Sequence, residues 1–181
     1  GHGVSAGMLM SSLQTALQMM APDTDSPAEI LERINRFYIH NIRFTTFVTV
    51  FLARYDSNSR TLTYVNSGHN PPAIFRRSDL GIEWLTRTAP AVGLAEEYFP
   101  RTETVNLSAG DVLLLYTDGI TEALNLDMEQ FGAERLAGFM QNAADLPAAD
   151  MLQVVRQAIS AYSGDVPLAD DLTLVALKVS G

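Results

Sequence analysis

The sequence predicts an α+β protein with antiparallel sheets, on three observations. Strand-like runs come in pairs joined by tight turns, as at 47–53 with 61–66 and 73–76 with 82–85. Helical periodicity is gathered in blocks, 4–41 near the front and 129–162 towards the back. The regular strand–helix alternation that a doubly wound α/β sheet requires is missing.

In chain order, Gly1-His2-Gly3-Val4-Ser5-Ala6-Gly7 reads as a glycine-rich loop running into a helix. Such a loop normally leaves a strand, so the expectation is a chain cut off ahead of Gly1, with its N-terminal strands upstream. A helix is expected over 4–20, because Leu9, Leu13, Ala16, Leu17 and Met20 recur on one face. Ser11, Ser12, Gln14, Thr15 and Gln18 make it amphipathic rather than a membrane span. Met8, Met10, Met19 and Met20 are expected to pack on a core or a partner helix. Ala21-Pro22 ends this helix. Ser26-Pro27-Ala28-Glu29 is a capping box with proline at the first helical position, starting a second helix that runs to about Asn41.

From Phe44 the period becomes that of strands. The run 47–53 is β-branched and aromatic, Asp56-Ser57-Asn58-Ser59 makes a hairpin turn, and 61–66 alternates as the return strand. Ser67-Gly68-His69-Asn70-Pro71-Pro72 is a loop held extended by its prolines. A second hairpin is expected from 73–76 and 82–85, an irregular stretch over 89–100, and an alternating strand over 101–107. Gly110-Asp111 turns into an apolar strand, 112–116, that leads straight to Thr117-Asp118-Gly119. Helices follow at 129–142 and 147–162, then a loop to Asp170-Asp171 and a closing strand over 172–179.

A chain of 181 residues, 47% hydrophobic and 18% charged, is long enough for one domain with a real core, and the expectation is a single domain over 1–181. Its net charge of −9 and lack of Lys/Arg clusters argue against nucleic acid as a partner. With no cysteine, disulfides, thiolate metal sites and cysteine nucleophiles are excluded.

Two carboxylate sites stand out. Asp118 leaves a strand and Asp170-Asp171 leads into one. In an antiparallel pair these ends lie at the same sheet edge and the carboxylates converge; in a parallel pair they would be roughly 20 Å apart. Converged, they suit a hard divalent cation. Asp118-Gly119 also reads as a simple turn, and Asp170-Asp171 as a polar strand start. Gly3-Val4-Ser5-Ala6-Gly7 matches the G-x-S-x-G elbow of serine hydrolases, without a preceding strand to support it. His69 suits either a proton shuttle or a turn held by backbone hydrogen bonds.

Taken together, four stretches resemble the bacterial metal-dependent serine/threonine protein phosphatases of the PP2C-like (PPM) group. The branch is the sporulation and stress-response one, which acts on anti-sigma factor antagonists. The stretches are Gly1-His2-Gly3-Val4-Ser5-Ala6, Ser67-Gly68-His69-Asn70-Pro71-Pro72, Tyr116-Thr117-Asp118-Gly119-Ile120-Thr121-Glu122-Ala123 and Asp170-Asp171-Leu172-Thr173-Leu174. They occur in the family's order and spacing and cover essentially the whole chain. The resemblance implies a sandwich of two antiparallel β-sheets flanked by helices, here lacking its N-terminal strands. It implies two Mn²⁺ or Mg²⁺ ions, with Asp118 and Asp170 as metal ligands and Asp171 beside them. The chemistry implied is two-metal hydrolysis of phosphoserine or phosphothreonine by an activated water.

Further acidic ligands are expected ahead of Gly1, so this chain on its own is expected to bind Mn²⁺ weakly and turn over slowly. The resemblance also implies a cytoplasmic protein, a phosphorylated regulatory protein as partner, and an upstream sensor or receiver domain. It admits a homodimer. Two other readings remain open, a non-catalytic adaptor of the same fold and a serine esterase using Ser5.

Overall fold

A computed structural model describes residues 4–41 and 47–180, with no side-chain detail for 4–6. The loop at Gly1-His2-Gly3 and the strand onset expected at Phe44 lie outside these residues. The chain divides into two compact units, Gly1–His69 with Arg87–Asn106, and Asn70–Thr86 with Leu107–Gly181.

Unit one begins with α1 (Val4–Met20) and, after a 3₁₀ turn at Ala21–Asp23, α2 (Pro27–Asn41). Both match the bounds expected from periodicity. At the start of α2 only half of the capping box forms: the Glu29 amide donates to Ser26 Oγ at 3.3 Å. The Glu29 carboxylate instead accepts the Thr24 hydroxyl at 2.6 Å and pairs with Arg33 one turn on. Leu31 and Ile34 on α2 are fully buried, packed with Leu13 and Ala16 of α1. Burying each such side chain contributes about 1.5–3 kcal/mol. Among the described residues no helix is long and apolar enough to cross a membrane.

The sheet of unit one has the order β1 (Val50–Asp56), β2 (Thr61–Ser67), β5 (Glu103–Asn106), all antiparallel. β1 begins later than expected, since Val48 makes only an isolated bridge with Val92, and it runs on to Asp56 opposite Thr61. The Asp56 carboxylate builds the hairpin turn by accepting the amides of Asn58 at 2.8 Å and Ser59 at 3.3 Å. Buried Asn35 of α2 fastens the irregular stretch expected over 89–100, donating to Ala95 O and accepting from the Gly93 amide.

Unit two holds a four-stranded antiparallel sheet in the order β4 (Ile82–Trp84), β3 (Ala73–Phe75), β6 (Val112–Tyr116), β7 (Leu174–Lys178). Helices α4 (Gly132–Ala143) and α5 (Ala148–Ser163) pack on it. Strand residues two apart share a face, so Ala73, Phe75, Val112, Leu114 and Tyr116 enter one cluster with Leu136, Met140, Met151, Val155 and Ile159. Ile74 and Leu113, on the alternate positions, are buried as well. That is why β6 reads as an unbroken apolar run rather than an alternating one.

Candidate metal centre

β6 is the element that positions the site. Its last paired residue, Tyr116, lies opposite Leu174, the first residue of β7. The exit of one strand and the start of the other therefore share a sheet edge. The antiparallel arrangement expected from the sequence is the one found, and it brings Asp118 and Asp170-Asp171 to the same end of the sheet.

Thr117 fastens that end. Its amide donates to Thr173 O at 3.2 Å and its hydroxyl to Asp171 O at 3.1 Å, while the same hydroxyl accepts the Thr173 amide at 3.1 Å. Asp118 then opens a single helical turn, α3 (Asp118–Thr121), in place of the simple Asp-Gly turn. Gly119 is not used for an unusual backbone conformation. A Cβ there would lie 2.6 Å from Asp171 O, so glycine is what lets α3 pass so close to the Asp170-Asp171 segment. Neither Thr117 nor the close approach at Gly119 was legible as such, because both depend on a strand more than fifty residues further along the chain.

The three candidate carboxylates are exposed and have no basic partner among the described residues. Asp118 Oδ1 accepts the Gly119 amide at 3.0 Å, and Asp170 Oδ1 accepts the Asp171 amide at 2.8 Å. These contacts aim the side chains but leave most of their lone pairs free. Beside them Tyr116 is buried edge-on to Trp84, and burial raises the pKa of its phenol, which stays neutral.

An all-oxygen donor set of carboxylates fits Mg²⁺ or Mn²⁺ rather than a soft metal. Among the described residues no group of three or more His, Asp or Glu side chains is placed to hold a metal ion, Asp118, Asp170 and Asp171 included. These aspartates offer the donor chemistry that suits a divalent cation without forming a metal-holding group by themselves.

Other candidates fall elsewhere. Ser5 has helical backbone in the first turn of α1, and the residues ahead of it that an elbow would need lie outside the described ones. His69 ends unit one, its amide donating to Asn66 Oδ1 at 2.9 Å, so this loop is built on Asn66.

The family model described as stage II sporulation protein E (SpoIIE) matches residues 1–180. The phosphoserine phosphatase RsbU of Bacillus subtilis (strain 168) is 25% identical over 180 residues, covering 98% of this chain and 52% of RsbU. Among solved structures, the SiaA-PP2C domain of Pseudomonas aeruginosa superposes with a TM-score of 0.85 at 21% identity, over 98% of this chain and 72% of that one. The RsbU and RsbW domains of Rv1364c from Mycobacterium tuberculosis give 0.76 at 27% identity, over 99% of this chain and 50% of that one. The catalytic domain of the serine/threonine protein phosphatase PstP, solved with two manganese ions, gives 0.68 at 16% identity, over 100% of this chain and 85% of that one. The fold is thus the PP2C-like one, α+β with two antiparallel sheets and helices. The chain spans about half the length of RsbU.

Proposed function

The chain belongs to the SpoIIE family, and on that premise we propose that it is the phosphatase part of a regulatory protein, removing phosphate from phosphoserine or phosphothreonine. Its substrate in this reading is an anti-sigma factor antagonist in a bacterial partner-switching pathway. The two units act as one domain. The observation that carries the reading is the meeting of Asp118 with Asp170-Asp171 at the shared end of β6 and β7.

In this reading Asp118 and Asp170 hold Mn²⁺ or Mg²⁺, with Asp171 beside them. Bound there, the ions supply charge neutralisation for the phosphoryl oxygens and an acidified water as nucleophile. This chain's own part is positional. Thr117 holds the Asp170-Asp171 segment against β6, and the Gly119 approach keeps the carboxylates at one edge. Their exposure leaves room for a phosphorylated side chain carried on a protein. No covalent enzyme intermediate is required, which agrees with a sequence that has no cysteine.

The test is phosphate release from a phosphoserine protein with and without Mn²⁺, in the wild type and in Asp118→Asn. Release that needs Mn²⁺ and is lost in Asp118→Asn supports the reading, and release that survives the substitution overturns it. With so few carboxylates in the described part of the site, Mn²⁺ affinity is expected to be low. The lack of a metal-holding group among the described residues also favours a second reading, an adaptor that keeps the fold without catalysis. Titration showing no Mn²⁺ binding at millimolar concentration, with the fold intact, would select it.

A further inference from the structure

A groove flanks the Asp170-Asp171 end of β7. One face of α5 supplies Leu152, Gln153, Arg156 and Ile159, while Leu172, just ahead of β7, and Leu174, its first residue, supply the other side of a space of about 500 Å³. The four α5 positions follow helical spacing and the two leucines follow strand spacing, so each set faces the groove from one side of its element. The floor is apolar. Ile159 is fully buried, and Leu152, Leu172 and Leu174 are half-buried against the core of unit two.

Arg156 lies exposed on the rim. The other basic side chains of unit two are committed elsewhere. Arg76 pairs with Asp111 and Glu83, Arg77 with Asp145, Arg135 with the carbonyls of Gln130 and Phe131, and Lys178 with those of Ala144 and Leu146. Arg156 has no such partner among the described residues. Along α5 it has Leu152, Gln153, Ile159 and Ser160 at the neighbouring turns, and no acid. An unpaired cation in a chain of net charge −9 is a local attractor for negative charge. Because Leu172 directly follows Asp171, a peptide in the groove lies only a few residues' reach from the carboxylate edge.

We propose that this groove seats the segment of the substrate protein next to its phosphorylated residue. That segment is apolar and carries Asp or Glu, and Arg156 recognises the acid. The proposal rests on the phosphatase reading of the neighbouring aspartates and adds the part of the substrate that they do not contact. An arginine that merely covered apolar surface with its stem would show no charge preference, and this separates the two cases.

The experiment measures fluorescence anisotropy of two short labelled phosphoserine peptides at low salt, one flanked by Leu and Glu and one with Lys replacing Glu. The wild-type chain is expected to prefer the Glu peptide by up to about fivefold, the scale of one exposed ion pair. Arg156→Glu is expected to reverse that preference, with circular dichroism unchanged. An unaltered preference, or equal loss for both peptides, overturns the proposal. Self-association of the wild type that Arg156→Glu abolishes also overturns it, assigning the groove to a second copy of the chain. Mn²⁺-dependent hydrolysis of p-nitrophenyl phosphate by the wild type, which has no flanking chain to read, reports separately on the phosphatase reading. Its absence alongside a charge reversal in peptide binding would sink that reading and leave the groove standing as a peptide site.

Discussion

At the start of β6, Asp111 is 2% exposed and its carboxylate accepts the amides of Arg77 at 2.9 Å and Ser108 at 3.0 Å and Arg76 Nη1 at 2.8 Å. At the other end, Asp118 is exposed, accepts one amide from its own next residue, and has no basic partner among the described residues. One strand thus carries the same residue type at both ends. The first is consumed by the fold, tying the turn before β6 to the end of β3. The second is held in place by backbone while its oxygens stay open. The difference teaches that a carboxylate's use follows from the donors around it, not from its place at a strand end.

The largest expected effect breaks the structural end. Asp111→Ala leaves the Arg77 and Ser108 amides without an acceptor and Arg76 paired still with Glu83, and should cost about 2–4 kcal/mol of stability, read as a lower urea midpoint. Asp118→Asn sharpens the contrast: stability should stay within about 0.5 kcal/mol, while Mn²⁺ affinity measured by calorimetry falls about tenfold or more. Equal loss of stability in both variants would remove the distinction. Next comes Gly119→Ala, where the added methyl meets Asp171 O and the carboxylate edge must open. A loss of about 1–3 kcal/mol is expected, together with weaker Mn²⁺ binding. Thr117→Val removes the hydroxyl that bridges Asp171 and Thr173, and should cost about 1 kcal/mol.

The smallest effect is one of pH. Burial pushes the Asp111 carboxyl up, but the Ser108 and Arg77 amides and the Arg76 guanidinium outweigh it, so its pKa lies below the ordinary value. A group lowered in the folded state stabilises above its unfolded pKa and loses that contribution as pH falls through the folded one. The wild type should therefore lose stability on acidification below about pH 4, and Asp111→Asn should show a shallower acid limb.

Much of the fold was legible before the structure. α1 and α2 matched their expected bounds because an apolar stripe, a stop at Ala21-Pro22 and a start at Ser26-Pro27 are all local signals. The β1–β2 hairpin was legible because Asp56 and its neighbours carry turn chemistry. The onset of α4 was not. The segment 124–130 is an Asn125-centred turn closed by a Leu124–Gln130 bridge, so the helix expected from 129 begins at Gly132.

Taken alone, the sequence determined the α+β class, the order of elements, the exclusion of cysteine chemistry and the candidacy of Asp118, Asp170 and Asp171. Each of these depends on composition or on residues within one turn or strand of each other. Only the tertiary structure decided that β6 and β7 are antiparallel neighbours in the Tyr116–Leu174 register. Only it decided that Asp111 is buried and Asp118 open, that Gly119 makes room rather than a turn, and that Arg156 alone among the described cations of unit two lacks a partner. These are outcomes of long-range pairing, and a one-residue slip in register would turn every side chain of β7 to the other face.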